Sequence, residues 1–116
     1  MSMAKKRLIS KNLKHYLILL EHLTDIKNKP LRLKLVRWFS KNDNFNQAIR
    51  EISLNIANGN LQLGTTMKRK LRPYAKLIVK LSGANDTNSR RKLVNQSGGY
   101  LNIALPAILG LIQALR

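Results

Sequence analysis

The chain has 116 residues, room for one small domain. Lys plus Arg number 22 against 5 Asp plus Glu, a formal net charge of +17, and 44% of the residues are apolar. The apolar share excludes a fully disordered basic tail, and the absence of Cys excludes a disulfide scaffold and Cys-ligated zinc or iron–sulfur sites. So cationic a chain repels itself, and a dense polyanion relieves that repulsion. Nucleic acid or an anionic membrane is therefore the expected partner, with an acidic protein third.

The N-terminal stretch Met1-Ser2-Met3-Ala4-Lys5-Lys6-Arg7 is basic, and the apolar run behind it, Tyr16 to Leu20, is short. A secretory signal needs a longer apolar run and a small-residue cleavage site, so none is read here. A first helix is predicted from Ser10 to Lys27. Leu13, Tyr16, Leu17, Leu20 and Leu23 recur at three- and four-residue spacing, and Ser10 is placed to cap it. Pro30 suits the first turn of a second helix, Leu31 to Ser40, which offers Leu31, Leu35, Trp38 and Phe39 to a core. Asp43 or Asn44 is expected to cap a third helix, Phe45 to Asn58, striped by Phe45, Ile49, Ile52 and Ile56. Gly59 falls where a left-handed C-terminal residue is wanted. Thr65 or Thr66 is expected to cap a fourth helix, Met67 to Ser82, with Met67, Leu71, Tyr74, Ile78 and Leu81 inward and a kink at Pro73.

The stretch Gly83 to Ser89 favours turns or disorder, and a polar linker is expected. The basic triplet Arg90-Arg91-Lys92 follows, then Gly98-Gly99 and a run free of charge from Tyr100 to Leu115. No internal repeat is found. The reading is all-α: a basic segment over 1–9, a bundle of four amphipathic helices over 10–82, a polar and basic linker over 83–99, and an apolar C-terminal helix over 100–116.

Between Lys68 and Lys92 stand nine basic residues and one acidic, Asp86. Long charged side chains often do no more than solvate helix faces. Here too few acids are present to balance them. Lys68, Arg69, Lys70, Arg72, Lys76, Lys80, Arg90, Arg91 and Lys92, with Lys5, Lys6 and Arg7, are the expected phosphate-binding residues. A recognition helix needs polar side chains aimed at base edges, and Met67 to Ser82 offers Lys and Arg almost alone. Such a face positions a protein on duplex DNA without reading its sequence. Tyr16, Trp38, Phe39, Phe45 and Tyr74 fit helix stripes and are expected in the core rather than as stacking platforms.

The apolar run is shorter than the span of about 20 residues that crosses a bilayer. Leu101, Leu105, Ile108, Leu109 and Ile112 make an apolar face for a membrane or a capsid shell, or for packing against the other helices. Gly98-Gly99 is a flexible site at which a protease can bind an extended backbone. His15 and His22 are seven residues apart beside Glu21 and Asp25, a poor metal site. Ser10, Ser40 and Ser53 have no evident base, so no catalytic residue and no cofactor is expected.

The stretch from Arg90 to Leu101, followed by Ala104-Leu105-Pro106-Ala107-Ile108-Leu109-Gly110, resembles the C-terminal pattern of adenovirus-like core protein X precursors. Similar proteins are encoded by Polinton and adintovirus-type elements. Their pattern is a Lys/Arg cluster, a short mixed stretch, Gly-Gly, then a Leu/Pro/Ala-rich run. The stretch from Glu51 to Leu63, with its Asn-Gly-Asn turn before a basic helix, is similar to that group too. The resemblance covers residues 45 to 112, and this chain has Tyr100 after Gly-Gly where the group often has Phe. It implies cleavage by an adenovirus-type cysteine protease, since Gln96-Ser97-Gly98-Gly99 fits the pattern such enzymes cut and the break would precede Tyr100.

The leading expectation is a non-enzymatic viral or virus-derived core protein of the virion core or host nucleus. It would bind double-stranded DNA without sequence preference, with a hydrophobic tail for membrane or shell. The alternative is a membrane-active entry or capsid-associated protein in which Arg90-Arg91-Lys92 docks anionic lipid and 100–115 inserts. A third reading is a cellular basic nucleic-acid-binding module whose last helix completes its core.

Overall fold

The computed structural model describes residues 10–59, 63–97, 100, 101 and 104. Among them the regular elements are all helical: α1 (Lys11–Asp25), α2 (Lys29–Phe39), α3 (Asp43–Ala57), α4 (Thr65–Leu71), a 3-10 turn (Arg72–Tyr74), α5 (Ala75–Ser82) and α6 (Thr87–Asn95). Local chemistry sets most of the boundaries. Ser10 caps α1, its Oγ accepting from the Leu13 N–H at 3.1 Å. Asn28 caps α2 through the Leu31 N–H, which starts that helix at Lys29 with Pro30 in its first turn.

The third and fourth caps differ from expectation. Asn42 caps α3, accepting from the Asn44 N–H at 2.9 Å, so Asp43 is already helical and its carboxylate is free to bond elsewhere. Gly64 precedes α4 without a side-chain cap, and Thr65 is the first helical residue. Gly59 ends α3 in the left-handed region at φ +69, where a Cβ would be strained. Pro73 does bend the basic helix, because it lacks the N–H that would continue the α-helical ladder. The 3-10 turn is the result, and α4 and α5 form two arms of one rod.

The larger correction concerns the expected linker. Asp86 opens a helix there, its carboxylate accepting from the Ser89 N–H and the Ser89 hydroxyl, both at 2.8 Å. The turn-forming cluster Asn85 to Ser89 is thus an N-cap, a role the same residue types favour. α6 carries Arg90, Arg91 and Lys92, and its Val94 is fully buried.

α3 is the central helix, with α1, α5 and α6 all packed against it. The core is Leu13, Leu20 and Leu23 from α1, Val36, Phe45, Ala48, Ile49 and Ile52, and Leu71, Ile78, Leu81 and Val94. It also takes in Tyr100, Leu101 and Ala104. The Tyr100 hydroxyl lies 2.8 Å from Ser53 Oγ inside that core. Leu101, expected to face a membrane or shell, is 2% exposed. Leu105, Ile108, Leu109 and Ile112 lie outside the described residues. α2 departs from its expected stripe: Val36 faces inward, whereas Leu31 is 46% and Trp38 62% exposed.

Candidate nucleic-acid interface

Every lysine among the described residues is exposed, and of the arginines only Arg32, Arg50 and Arg90 are half-buried. The densest array lies on the bent rod. Leu71, Ile78 and Leu81 point into the core and fix the rod's orientation. Lys68, Arg69 and Lys70 on one arm, Arg72 in the turn, and Lys76 and Lys80 on the other arm are consequently exposed. Lys68, Arg69 and Lys70 also occupy the last turn of α4, where the helix dipole favours positive charge. No Asp or Glu occurs between Glu51 and Asp86. A cavity of about 420 Å³ opens at the base of the rod, lined by Ile56, Leu63, Lys68, Leu71, Arg72 and Ile78 among others.

Glu51, Asp86 and Asp43 are each held by the fold itself. Glu51 accepts the Ser10 N–H at 2.8 Å, and Asp86 caps α6. Asp43 receives the Nε and Nη2 donors of Arg90 at 2.9 and 2.8 Å, and Gln47 at 3.0 Å. The Arg90 hydrogen bonds, first among the causes, hold the Asp43 carboxyl below its ordinary value, and Asp43 in turn raises Arg90. Asp86 is lowered by the backbone and hydroxyl donors of Ser89.

The expected phosphate-binding residues therefore separate into groups. Lys68, Arg69, Lys70, Arg72, Lys76, Lys80, Arg91 and Lys92 are exposed. Arg90 is not part of that surface. Its third donor goes to the Ala84 carbonyl at 3.2 Å, and its side chain is 12% exposed. A two-point ion pair across 47 residues of sequence carries no local signal, so sequence reading could not separate Arg90 from its neighbours. Lys5, Lys6 and Arg7 lie outside the described residues. Exposed Lys11, Lys14, Lys34 and Arg37 extend the cationic surface onto α1 and α2.

Around the proposed cleavage pattern, Gln96 is exposed at the end of α6, while Ser97 and Tyr100 are fully buried. Gly98 and Gly99 lie outside the described residues. Burial pushes the Tyr100 phenol up to about 12, and the Ser53 hydroxyl offsets part of the rise. Among the described residues, His15 and His22 are exposed and no group of three or more His, Asp or Glu is placed to hold a metal ion. No described helix is long and apolar enough to cross a membrane.

Comparison with protein families, with curated proteins and with solved structures finds no match for this chain.

Proposed function

We propose that this chain is a non-enzymatic DNA-binding protein that holds double-stranded DNA through its phosphates, without sequence preference. The observation that carries the reading is the uncompensated array on α4, the 3-10 turn and α5: six exposed cations, with no carboxylate in the sequence from 52 to 85. Clustered Lys and Arg neutralise phosphates and release condensed counterions, which is the dominant source of non-specific affinity. The face lacks the Asn, Gln and paired polar side chains that read base edges. The resemblance of residues 45 to 112 to adenovirus-like core protein X precursors supports a viral or virus-derived core protein, with packaged DNA as its target.

In that reading, maturation by an adenovirus-type cysteine protease after Gly99 requires local unfolding first, since Ser97 and Tyr100 on either side are buried. The burial of Tyr100, Leu101 and Ala104 favours a second reading as well: a cellular nucleic-acid-binding module whose last segment completes the core. Both readings share the DNA-binding face. The membrane-active reading needs the tail free, and these three residues count against that for its first residues.

The test is binding to two duplexes of unrelated sequence across a salt series. Equal affinities are expected, with log K falling on log salt by about 0.9 for each phosphate neutralised. Replacing Lys68, Lys76 and Lys80 together with alanine should weaken both duplexes alike and flatten the slope by about two to three. A preference for one duplex, or an unchanged slope in the triple variant, would sink the proposal.

A further inference from the structure

Trp38 is the chain's single tryptophan, and its ring is 62% exposed. Water is a poor place for an indole, yet this one is braced there. Its ring meets Phe39 edge to face, with centroids 5.0 Å apart. Phe39 in turn meets the fully buried Phe45 at 5.6 Å, and Phe45 meets Tyr16 at 5.9 Å. Trp38 is thus the outer end of a row of rings that begins in the core. Exposed Leu31 and Lys34 precede it at seven and four residues, on the same side of α2. Arg37 is its neighbour in sequence, and exposed Lys41 follows in the turn. On the same helix a groove of about 480 Å³ is lined by Pro30, Leu31, Leu33, Lys34 and Arg37, with Asn28 at its start.

We infer that Trp38 is a stacking platform for an unpaired nucleic-acid base, with Lys34, Arg37 and Lys41 taking the flanking phosphates. A cationic groove beside an exposed aromatic ring is the arrangement by which single strands are held, because every base has a π-face. In a duplex those faces are covered by neighbouring base pairs, so the site selects strand ends, gaps and single-stranded stretches. An anionic membrane fits less well. An interfacial helix sinks one continuous apolar face, and here Lys34 interrupts Leu31 and Trp38 while Leu35, Val36 and Phe39 are engaged with the core. The inference rests on the polyanion-binding reading above and adds a second, chemically distinct contact to it.

The single tryptophan is also the probe. The full chain is titrated with oligothymidylate, with an abasic strand of equal length, and with phosphatidylserine vesicles, while indole emission is followed. Oligothymidylate should quench the emission, and the abasic strand should bind without comparable quenching. W38A should bind oligothymidylate about tenfold more weakly and the abasic strand as before, with W38F retaining most of the affinity. Equal quenching by both strands, or undiminished oligothymidylate binding by W38A, overturns the stacking site but leaves phosphate binding intact. A blue shift with vesicles and no quenching by oligothymidylate assigns Trp38 to lipid instead. Failure of both strands to bind at low salt removes the polyanion reading together with this one.

Discussion

Arg90 and Tyr100 show how a residue's role follows from what surrounds it. Arg90 sits in a basic triplet, yet its guanidinium is turned inward, with two donors to Asp43 and one to the Ala84 carbonyl. Hydrogen bonds to a charged partner contribute about 1.5–3 kcal/mol when only partly screened. R90A should therefore lower folding stability by about 1–3 kcal/mol in denaturant titration while leaving duplex affinity within about twofold. A loss of affinity at unchanged stability would place Arg90 back among the phosphate ligands. Tyr100 presents the reverse case, an apolar-tail residue whose hydroxyl titrates. Its folded pKa of about 12 lies above the ordinary 10, so the neutral phenol favours the fold. That contribution is complete below pH 10 and is lost as pH rises towards 12. Ultraviolet titration of tyrosinate should show a late step near pH 12 that Y100F lacks.

At the level of elements, the bent rod and α6 divide the labour. Pro73 splits one basic helix into two arms, and the apolar residues on both arms are held by the core. Because those inward residues fix the rotation of each arm, the lysines between them have no direction but outward. Residues 100, 101 and 104 are placed differently from a detachable tail. Tyr100, Leu101 and Ala104 are buried in the core, Tyr100 meeting Ser53 of α3, and removal of one large buried side chain costs about 2–5 kcal/mol. Losing Tyr100 and Leu101 together approaches the whole stability of a small domain, about 5–15 kcal/mol. A chain ending at Gly99 should accordingly lose its cooperative unfolding transition by circular dichroism. A truncated chain that melts sharply, at the temperature of the full one, would show that the last segment adds nothing to the core. The same burial predicts that the folded full chain resists proteolysis between Gly99 and Tyr100 until denaturant is added.

The whole molecule is defined by its charge. Three of its few carboxylates, Asp43, Glu51 and Asp86, are engaged in holding helices in place. The cations meanwhile lie on almost every exposed helical face. Non-specific duplex binding at a dissociation constant of about 10⁻⁴–10⁻⁶ M at physiological salt is the expectation for such a surface. Under the proposed function, folding and binding would pull in one direction, since a polyanion lowers the self-repulsion of the folded state.

Much of this was legible without coordinates. Ser10, Pro30, Gly59 and Pro73 act through their own backbone chemistry, so their effects on helix starts, stops and bends appear in the sequence. The inward stripes of α1, α3 and the rod follow from apolar spacing for the same reason. The charge, and with it the expectation of a polyanionic partner, is a property of composition alone. Other features depended on which groups meet across the chain. Asn85 to Ser89 reads as a linker until Val94 finds a buried place and the stretch becomes the start of α6. Trp38 fits an inward stripe until Val36 and Phe39 occupy the face turned to the core. Arg90 becomes structural only because Asp43 is 47 residues away in sequence and 2.8 Å away in space. Local propensity acts within a few residues and is written in the chain, whereas burial and pairing are settled among distant segments that compete for the same core.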